Sequence, residues 1–111
     1  MIELIATSTF KKEFKRLKKK YPSLQSDLKI LINDLLFNPD RGIDLGNGFR
    51  KIRISIKSKQ RGKQGGARVI TYNILSGIFD GKVFLVTIYD KSDQETISLQ
   101  RIKELIKDLR L

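Results

Sequence analysis

The sequence FRKIRISI at residues 49–56 and the sequence ARVITYNIL at residues 67–75 decide the fold. The apolar residues of the first segment share one face of an extended chain, and they are Ile52, Ile54 and Ile56. The opposite face carries Lys51 and Arg53. The second segment and KVFLVTIY at residues 82–89 are rich in β-branched and aromatic residues, as strands are. We therefore predict consecutive antiparallel strands with one buried face and one cationic face.

Two amphipathic helices are predicted before these strands, with a tight connection at Pro22. In the first helix lysine and arginine surround an apolar stripe formed by Phe10, Phe14, Leu17 and Tyr21. The second helix has a leucine-rich stripe that ends at Asn38 and Pro39. Because the connection is short, we expect the two helices to form a hairpin that lies on the sheet.

The remaining segments complete a predicted order of β-α-α-β-β-β-α. Residues 2–6 suit an edge strand, and the glycines around residue 46 indicate a loop. Residues 57–66, KSKQRGKQGG, are predicted to be a solvated hairpin loop. Ser92 and Glu95 have the spacing of a capping box for a C-terminal helix. The fold class is therefore expected to be α+β, with an antiparallel sheet, a helix hairpin packed on it and a C-terminal helix.

The composition favours a partner that is a polyanion. The 111 residues, which we expect to form a single domain over residues 1–111, include 23 lysines and arginines against 12 acidic residues, for a net charge of +11. Such a charge attracts nucleic acid. The chain has no cysteine and no histidine, so we expect neither a disulfide nor structural zinc, and no metal cofactor. Without an apolar run of roughly 20 residues or a secretion signal, the cytoplasm is the expected compartment and no membrane partner is expected.

The positive charge is concentrated on the predicted sheet hairpin. No acidic residue lies between Asp44 and Asp80, whereas eight cations do: Arg50, Lys51, Arg53, Lys57, Lys59, Arg61, Lys63 and Arg68. If the hairpin forms, Lys51, Arg53 and Arg68 can converge on one phosphate, and Lys91 ends the next strand. The alternative is that these side chains are only the solvated face of a sheet.

Three segments in this order resemble toxins of the RelE/ParE superfamily, and RelE/HigB-like toxins in particular. They are FRKIRI at residues 49–54, GGARVITY at residues 65–72 and VFLVTIYDKSDQETIS at residues 83–98. The resemblance covers nearly the whole chain. It implies the toxin of a type II toxin-antitoxin system, an endoribonuclease that cuts mRNA on the ribosome without a metal or other cofactor. A cognate antitoxin protein would hold it inactive.

The resemblance also implies roles for the catalytic residues. Arg68 matches an arginine that contacts the scissile phosphate. Lys51 and Arg53 match positions that supply basic catalytic residues, and Lys51 is the better base because a guanidinium does not readily deprotonate. Lys91 matches a cation that stabilises or protonates the leaving 5′-oxygen, and Tyr89 lies close to it in the chain.

Further residues are expected to bind ribosomal RNA or the mRNA backbone, and these are Lys57, Lys59, Arg61 and Lys63. Relatives carry a tyrosine where this chain has Ile97, so Tyr89 or Tyr72 would take over the stacking or orientation of a base. For Tyr72 an anchoring role in the core is an equal alternative.

Two other functions stay open at this point. The same fold resembles ParE-like toxins, which act on DNA gyrase without cutting RNA, and likeness of fold alone does not separate the two classes. A non-enzymatic nucleic-acid-binding domain would need only the basic first helix and the basic loop. The cluster of Lys51, Arg53 and Arg68 favours cleavage of RNA.

Overall fold

A five-stranded mixed sheet has two helices on one face and a third helix on the other. The computed structural model describes residues 1–59, 65–77, 80–93 and 97–107. In chain order the elements are β1 (Ile2–Ala6), α1 (Ser8–Lys20), α2 (Leu24–Phe37), β2 (Ile43–Gly46), β3 (Phe49–Ile54), a 3₁₀ turn (Lys57–Lys59), β4 (Ala67–Leu75), β5 (Gly81–Asp90) and α3 (Leu99–Lys107). The α+β class is confirmed. Within the described ranges no helix is long and apolar enough to cross a membrane.

The strand order is β1-β5-β4-β3-β2, and the strands β2 to β5 pair antiparallel with their neighbours. The edge strand β1 instead runs parallel to β5, with Ile2 opposite Gly81 and Ala6 opposite Leu85. The prediction of a wholly antiparallel sheet is therefore wrong for this strand. Parallel neighbours require a long connection, and here the helices and the other strands separate β1 from β5.

The glycine-rich segment predicted as a loop contains an additional strand, β2. It forms a hairpin with β3, and the turn between them contains Asn47 and Gly48 with φ of 55° and 88°. A two-residue hairpin turn of type I′ needs positive φ at both central positions, which asparagine followed by glycine adopts readily. The observed order is thus β-α-α-β-β-β-β-α.

Hydroxyl side chains mark the starts of two helices. The Thr7 hydroxyl accepts a hydrogen bond from the Phe10 N–H at 3.1 Å at the start of α1. At the start of α3 the hydroxyl of Ser98 accepts from the Arg101 N–H at 3.1 Å. The predicted capping box is therefore wrong: Ser92 lies well before α3, and Glu95 lies outside the described residues.

The buried side chains form one apolar cluster on each face of the sheet. On the α1/α2 face the fully covered members include Leu17, Leu24, Leu31, Leu35, Ile52, Val69 and Ile88. On the α3 face the members are Phe49, Ile70, Phe84, Val86, Tyr89, Ile102 and Leu105. The predicted inward-facing isoleucines of β3 are confirmed, because Ile52, Ile54 and Ile56 are all buried on the α1/α2 face.

A β-bulge in β5 changes which of its side chains face α3. Ile70 lies opposite Thr87 while Thr71 lies opposite Leu85, so Val86 is an extra residue with no partner on β4. Beyond the bulge Tyr89 points to the α3 face, and it lies opposite Arg68.

A buried carboxylate joins three distant segments at the end of β5. Asp90 is fully buried, and its oxygens accept hydrogen bonds from Lys59 Nζ at 2.5 Å, the Tyr21 hydroxyl at 2.5 Å and the Ser92 N–H at 2.9 Å. Burial opposes ionisation of Asp90, but these donors and the Lys59 charge outweigh it and lower the pKa from 3.8 to about 2. The network connects the end of α1, the 3₁₀ turn and β5.

We expect Asp90→Asn to lower the free energy of unfolding by about 2 kcal/mol at neutral pH, because the folded state stabilises the charged carboxylate. The pKa is lower in the folded protein, so this contribution is complete above about pH 4 and disappears as the pH falls to about 2. Denaturant titrations of both proteins at several pH values measure the difference. Asp93→Asn, at an exposed position in the same turn, is the control. A difference between wild type and Asp90→Asn that stays constant down to about pH 2 would contradict this assignment.

Candidate functional site

Three neighbouring strands bring Arg53, Arg68 and Tyr89 into one row. Arg53 on β3 lies directly opposite Arg68 on β4, and Arg68 lies directly opposite Tyr89 on β5. Residues opposite each other in an antiparallel pair share a face of the sheet, with Cβ atoms about 5 Å apart. We call this set the Arg-Arg-Tyr row. It lies on the α3 face, away from α1 and α2.

The two arginines of the row differ in exposure. Arg53 is exposed, whereas Arg68 is 3% exposed and donates from Nη1 to the carbonyl oxygen of Ala67 at 3.2 Å. Burial and then the positive charge of Arg53 lower the pKa of the Arg68 guanidinium. Like charges directly opposite each other repel, so an anion placed between the two guanidiniums would relieve the repulsion.

Tyr89 contributes a covered phenol to the row. Tyr89 is 4% exposed, and its buried hydroxyl has no hydrogen-bond partner among the described residues. Burial raises the pKa of Tyr89, and the positive charge of Arg68 partly opposes the shift. The phenol is consequently protonated at neutral pH and can act as a proton donor, not as a base.

Lys51 lies beside the row on the same face. It precedes Arg53 by two residues on β3, which corresponds to about 7 Å along the strand. Its side chain is half-buried and its partner position on β4 is Ile70. In the part of the chain that the structure describes, no acidic group lies within ion-pair distance of Lys51 or Arg53.

Lys91 lies beside the Arg-Arg-Tyr row, two residues after Tyr89 in the chain, and is not a member of the row. It follows the last residue of β5, and its backbone N–H donates to the carbonyl oxygen of Gly66 at 3.1 Å. This places Lys91 near the start of β4, the end of the sheet where Arg68 lies. Four of the five residues expected to take part in the chemistry thus share one face, and the fifth adjoins it.

The expected RNA-binding lysines lie elsewhere. Lys57 is exposed beside α2, where its backbone N–H donates to Asp27 at 3.2 Å. Lys59 is bound by Asp90, with only 9% of its side chain exposed, and also donates to the Ser92 hydroxyl at 2.6 Å. This ammonium is held within the fold and is not presented to RNA. The other two expected residues, Arg61 and Lys63, lie outside the described residues.

Tyr72 has the position of a core residue. Its ring lies 4.9 Å from that of Phe49 and 6.3 Å from that of Phe84, measured between centroids. It is four residues from Arg68 along β4, a separation of about 13 Å. The contacts favour the anchoring role, and the distance separates Tyr72 from the Arg-Arg-Tyr row.

A polar pocket beside Tyr89 could not be anticipated from the sequence. It opens where β5 extends beyond the end of β1, and its lining includes Thr9 and Arg16 of α1, Thr87 of β5 and Arg101 of α3. These residues come from three separate segments, and no motif or spacing connects them.

No family model matches the chain, so the site has to be judged by its geometry. Two adjacent guanidiniums, an ammonium and a protonated phenol share one face of the sheet. Guanidinium groups bind phosphate oxygens through paired hydrogen bonds, and the phenol can donate a proton. Such a set can bind a phosphodiester and stabilise negative charge that develops on it. It suits a reaction in which the nucleophile comes from the substrate.

We expect Tyr89→Phe to leave the free energy of unfolding unchanged or to raise it by up to about 1 kcal/mol, because the change removes a buried hydroxyl that makes no hydrogen bond within the described part of the chain. Tyr21→Phe is the matched variant, since it removes a hydroxyl bonded to the Asp90 carboxylate. It should lower stability by about 2 kcal/mol. Denaturant unfolding of both variants compares them. Equal losses would show that the Tyr89 hydroxyl has a partner in solution.

Proposed function

We propose that this protein is a RelE/HigB-like ribonuclease toxin that cuts mRNA on the ribosome without a metal. The observation that supports this most directly is the Arg-Arg-Tyr row, because it sets two guanidiniums and a protonated phenol side by side on adjacent strands. The order of the three segments that resemble these toxins, and the net charge of +11, agree with the proposal.

The proposed reaction takes its nucleophile from the RNA. The ribose 2′-oxygen attacks the adjacent phosphorus while a base accepts its proton, and the bond from phosphorus to the 5′-oxygen breaks as an acid protonates the leaving oxygen. The products are a 2′,3′-cyclic phosphate and a 5′-hydroxyl. Negative charge increases on the non-bridging oxygens in the transition state, and Arg68 and Arg53 are placed to stabilise it.

The residues that accept and donate protons are assigned from their positions and from their protonation states. Lys51 is the candidate base, since its amine lies beside the row on the same face. Tyr89 is the candidate acid because burial keeps its phenol protonated, and Lys91 at the end of the row is the alternative acid. Since Arg68 is 3% exposed, RNA meets Arg53 and Lys51 first, and neighbouring side chains must move before Arg68 reaches a phosphate.

An antitoxin that neutralises this protein would have to cover the same cations. An acidic segment laid along β3 would place carboxylates near Lys51 and Arg53, which have no acidic partner among the described residues. Complementary charge speeds such an association and hides the site from RNA. The proposed partners are therefore a cognate antitoxin, the ribosome and mRNA.

We expect Arg68→Met to reduce mRNA cleavage about 100- to 1000-fold, the usual effect of losing one donor to a developing oxyanion. Methionine keeps most of the side-chain length and removes the repulsion from Arg53, so the fold should persist. The measurement is single-turnover cleavage of mRNA on programmed ribosomes with saturating protein, with folding checked by circular dichroism. Lys29→Met, on the exposed surface of α2, is the control and should cleave like the wild type.

A second substrate separates the chemistry from binding. An mRNA with a 2′-deoxyribose at the cleaved position should bind the ribosome and this protein normally but stay intact, because it lacks the attacking oxygen. If Arg68→Met and Lys29→Met cleave at the same rate, the site assignment is wrong. If the wild-type protein binds ribosomes but yields no cyclic phosphate, and its expression leaves translation unimpaired, the toxin proposal fails and a non-enzymatic RNA-binding domain takes its place.

A further inference from the structure

The outer surface of α1 carries a second group of cations, which lie outside the Arg-Arg-Tyr row. Its members are Lys11, Lys12, Lys15, Lys18 and Lys19, and all five are exposed. Among the described residues none of them has an ion-pair partner. At 3.6 residues per turn they fall within about 120° of the helix circumference. We call this surface the lysine stripe.

Like-charge repulsion within the lysine stripe opposes the stability of its own helix, although Lys18 and Lys19 lie in the last turn, where the helix dipole favours cations. The first turn of α1 contains Lys11 and no acidic residue, although the helix dipole disfavours cations there. Lys15 lies four residues from both Lys11 and Lys19, a spacing at which like charges repel. The acidic Glu13 is hydrogen-bonded to Arg16 at 3.1 and 3.2 Å and does not neutralise the stripe. An external polyanion would relieve this repulsion.

The chemistry of the stripe selects a particular kind of polyanion. The aromatic residues of α1 face inward: Phe10 is buried, and Phe14 stacks on it at 6.2 Å. Proteins that bind single strands stack bases on exposed aromatic rings, and the stripe offers only ammonium groups, which contact phosphates. In duplex RNA the bases are paired inward, and recognition relies on the backbone and its shape.

We propose that the lysine stripe is a docking surface for the phosphate backbone of duplex RNA. The preference for a duplex follows from the stripe itself, whereas the choice of RNA over DNA rests on the proposed function. Helix α1 packs on the sheet face opposite to the Arg-Arg-Tyr row. A folded RNA on the stripe and a single strand on the row can therefore be bound at the same time, and each site increases the effective concentration at the other.

The test compares two variants that lose the same charge. The stripe variant carries Lys11→Gln, Lys12→Gln, Lys15→Gln and Lys18→Gln. The control variant carries Lys29→Gln, Lys82→Gln, Lys103→Gln and Lys107→Gln, which are also exposed positions. Binding to a short RNA hairpin is measured over a range of salt concentrations, with single-stranded oligouridylate and a DNA duplex of equal length in parallel.

We expect the stripe variant to bind the RNA hairpin at least about tenfold more weakly, and the slope of log Kd against log salt to decrease by about three, since each lost phosphate contact removes a little less than one unit. Oligouridylate binding should change little. The control variant should stay close to the wild type. The melting temperature of the stripe variant should not fall, because the substitutions relieve repulsion, so lost binding would not reflect lost folding.

Three outcomes would overturn the proposal. Equal losses in the stripe and control variants would show that net charge alone binds the hairpin. An equal loss for the hairpin and for the DNA duplex would remove the preference for RNA. A stripe variant that binds the hairpin normally but no longer binds anionic phospholipid vesicles would assign the stripe to a membrane surface. Because a short hairpin without a ribosome tests binding alone, none of these results depends on whether the protein cleaves mRNA.

Discussion

The Asp90 carboxylate is the interaction on which the arrangement of this protein depends. It is fully buried, and its donors come from the end of α1, from the turn after β3 and from the residues after β5. Removing one partner of a buried charge pair leaves the other uncompensated, which destabilises the folded state. Tyr89 and Lys91 are the chain neighbours of Asp90. The same carboxylate that holds three segments together therefore also fixes the backbone on which these two candidate site residues lie.

The buried acidic residues explain how a chain of such high positive charge can fold. Asp27 is 5% exposed and accepts hydrogen bonds from the Ser23 hydroxyl and the Lys57 N–H, so that it secures a connection between elements, as Asp90 does. Two acidic groups are thereby used inside the fold, while most of the described lysines and arginines are exposed. The resulting self-repulsion lowers the stability of the isolated chain. Any acidic partner that binds only the folded state would raise its stability by mass action.

Local sequence patterns were sufficient to predict much of the fold and part of the candidate site. Alternation along β3 placed Lys51 and Arg53 on one face, and the hairpin to β4 brought Arg68 beside them. The signal for β2 was also present in Asn47–Gly48, but the surrounding glycines concealed it. Contacts between segments that are distant in the chain left no pattern in the local sequence. Neither the direction of β1 nor the ion pair of Lys59 with Asp90 can be inferred from nearby residues, because each depends on segments more than 30 positions apart.

The bulge at Val86 has a consequence for how this protein tolerates insertions and deletions. Strict alternation would place Tyr89 on the α1/α2 face, and the one extra residue turns it to the α3 face beside Arg68. Deleting a single residue from β5 would therefore exchange the faces of Tyr89 and Asp90. The phenol would enter the core and the carboxylate would lie beside two guanidiniums, which would repel RNA and leave Lys59 buried without its counter-charge. The length of β5 therefore cannot change by even one residue, although most of its individual side chains could be replaced by others of similar size.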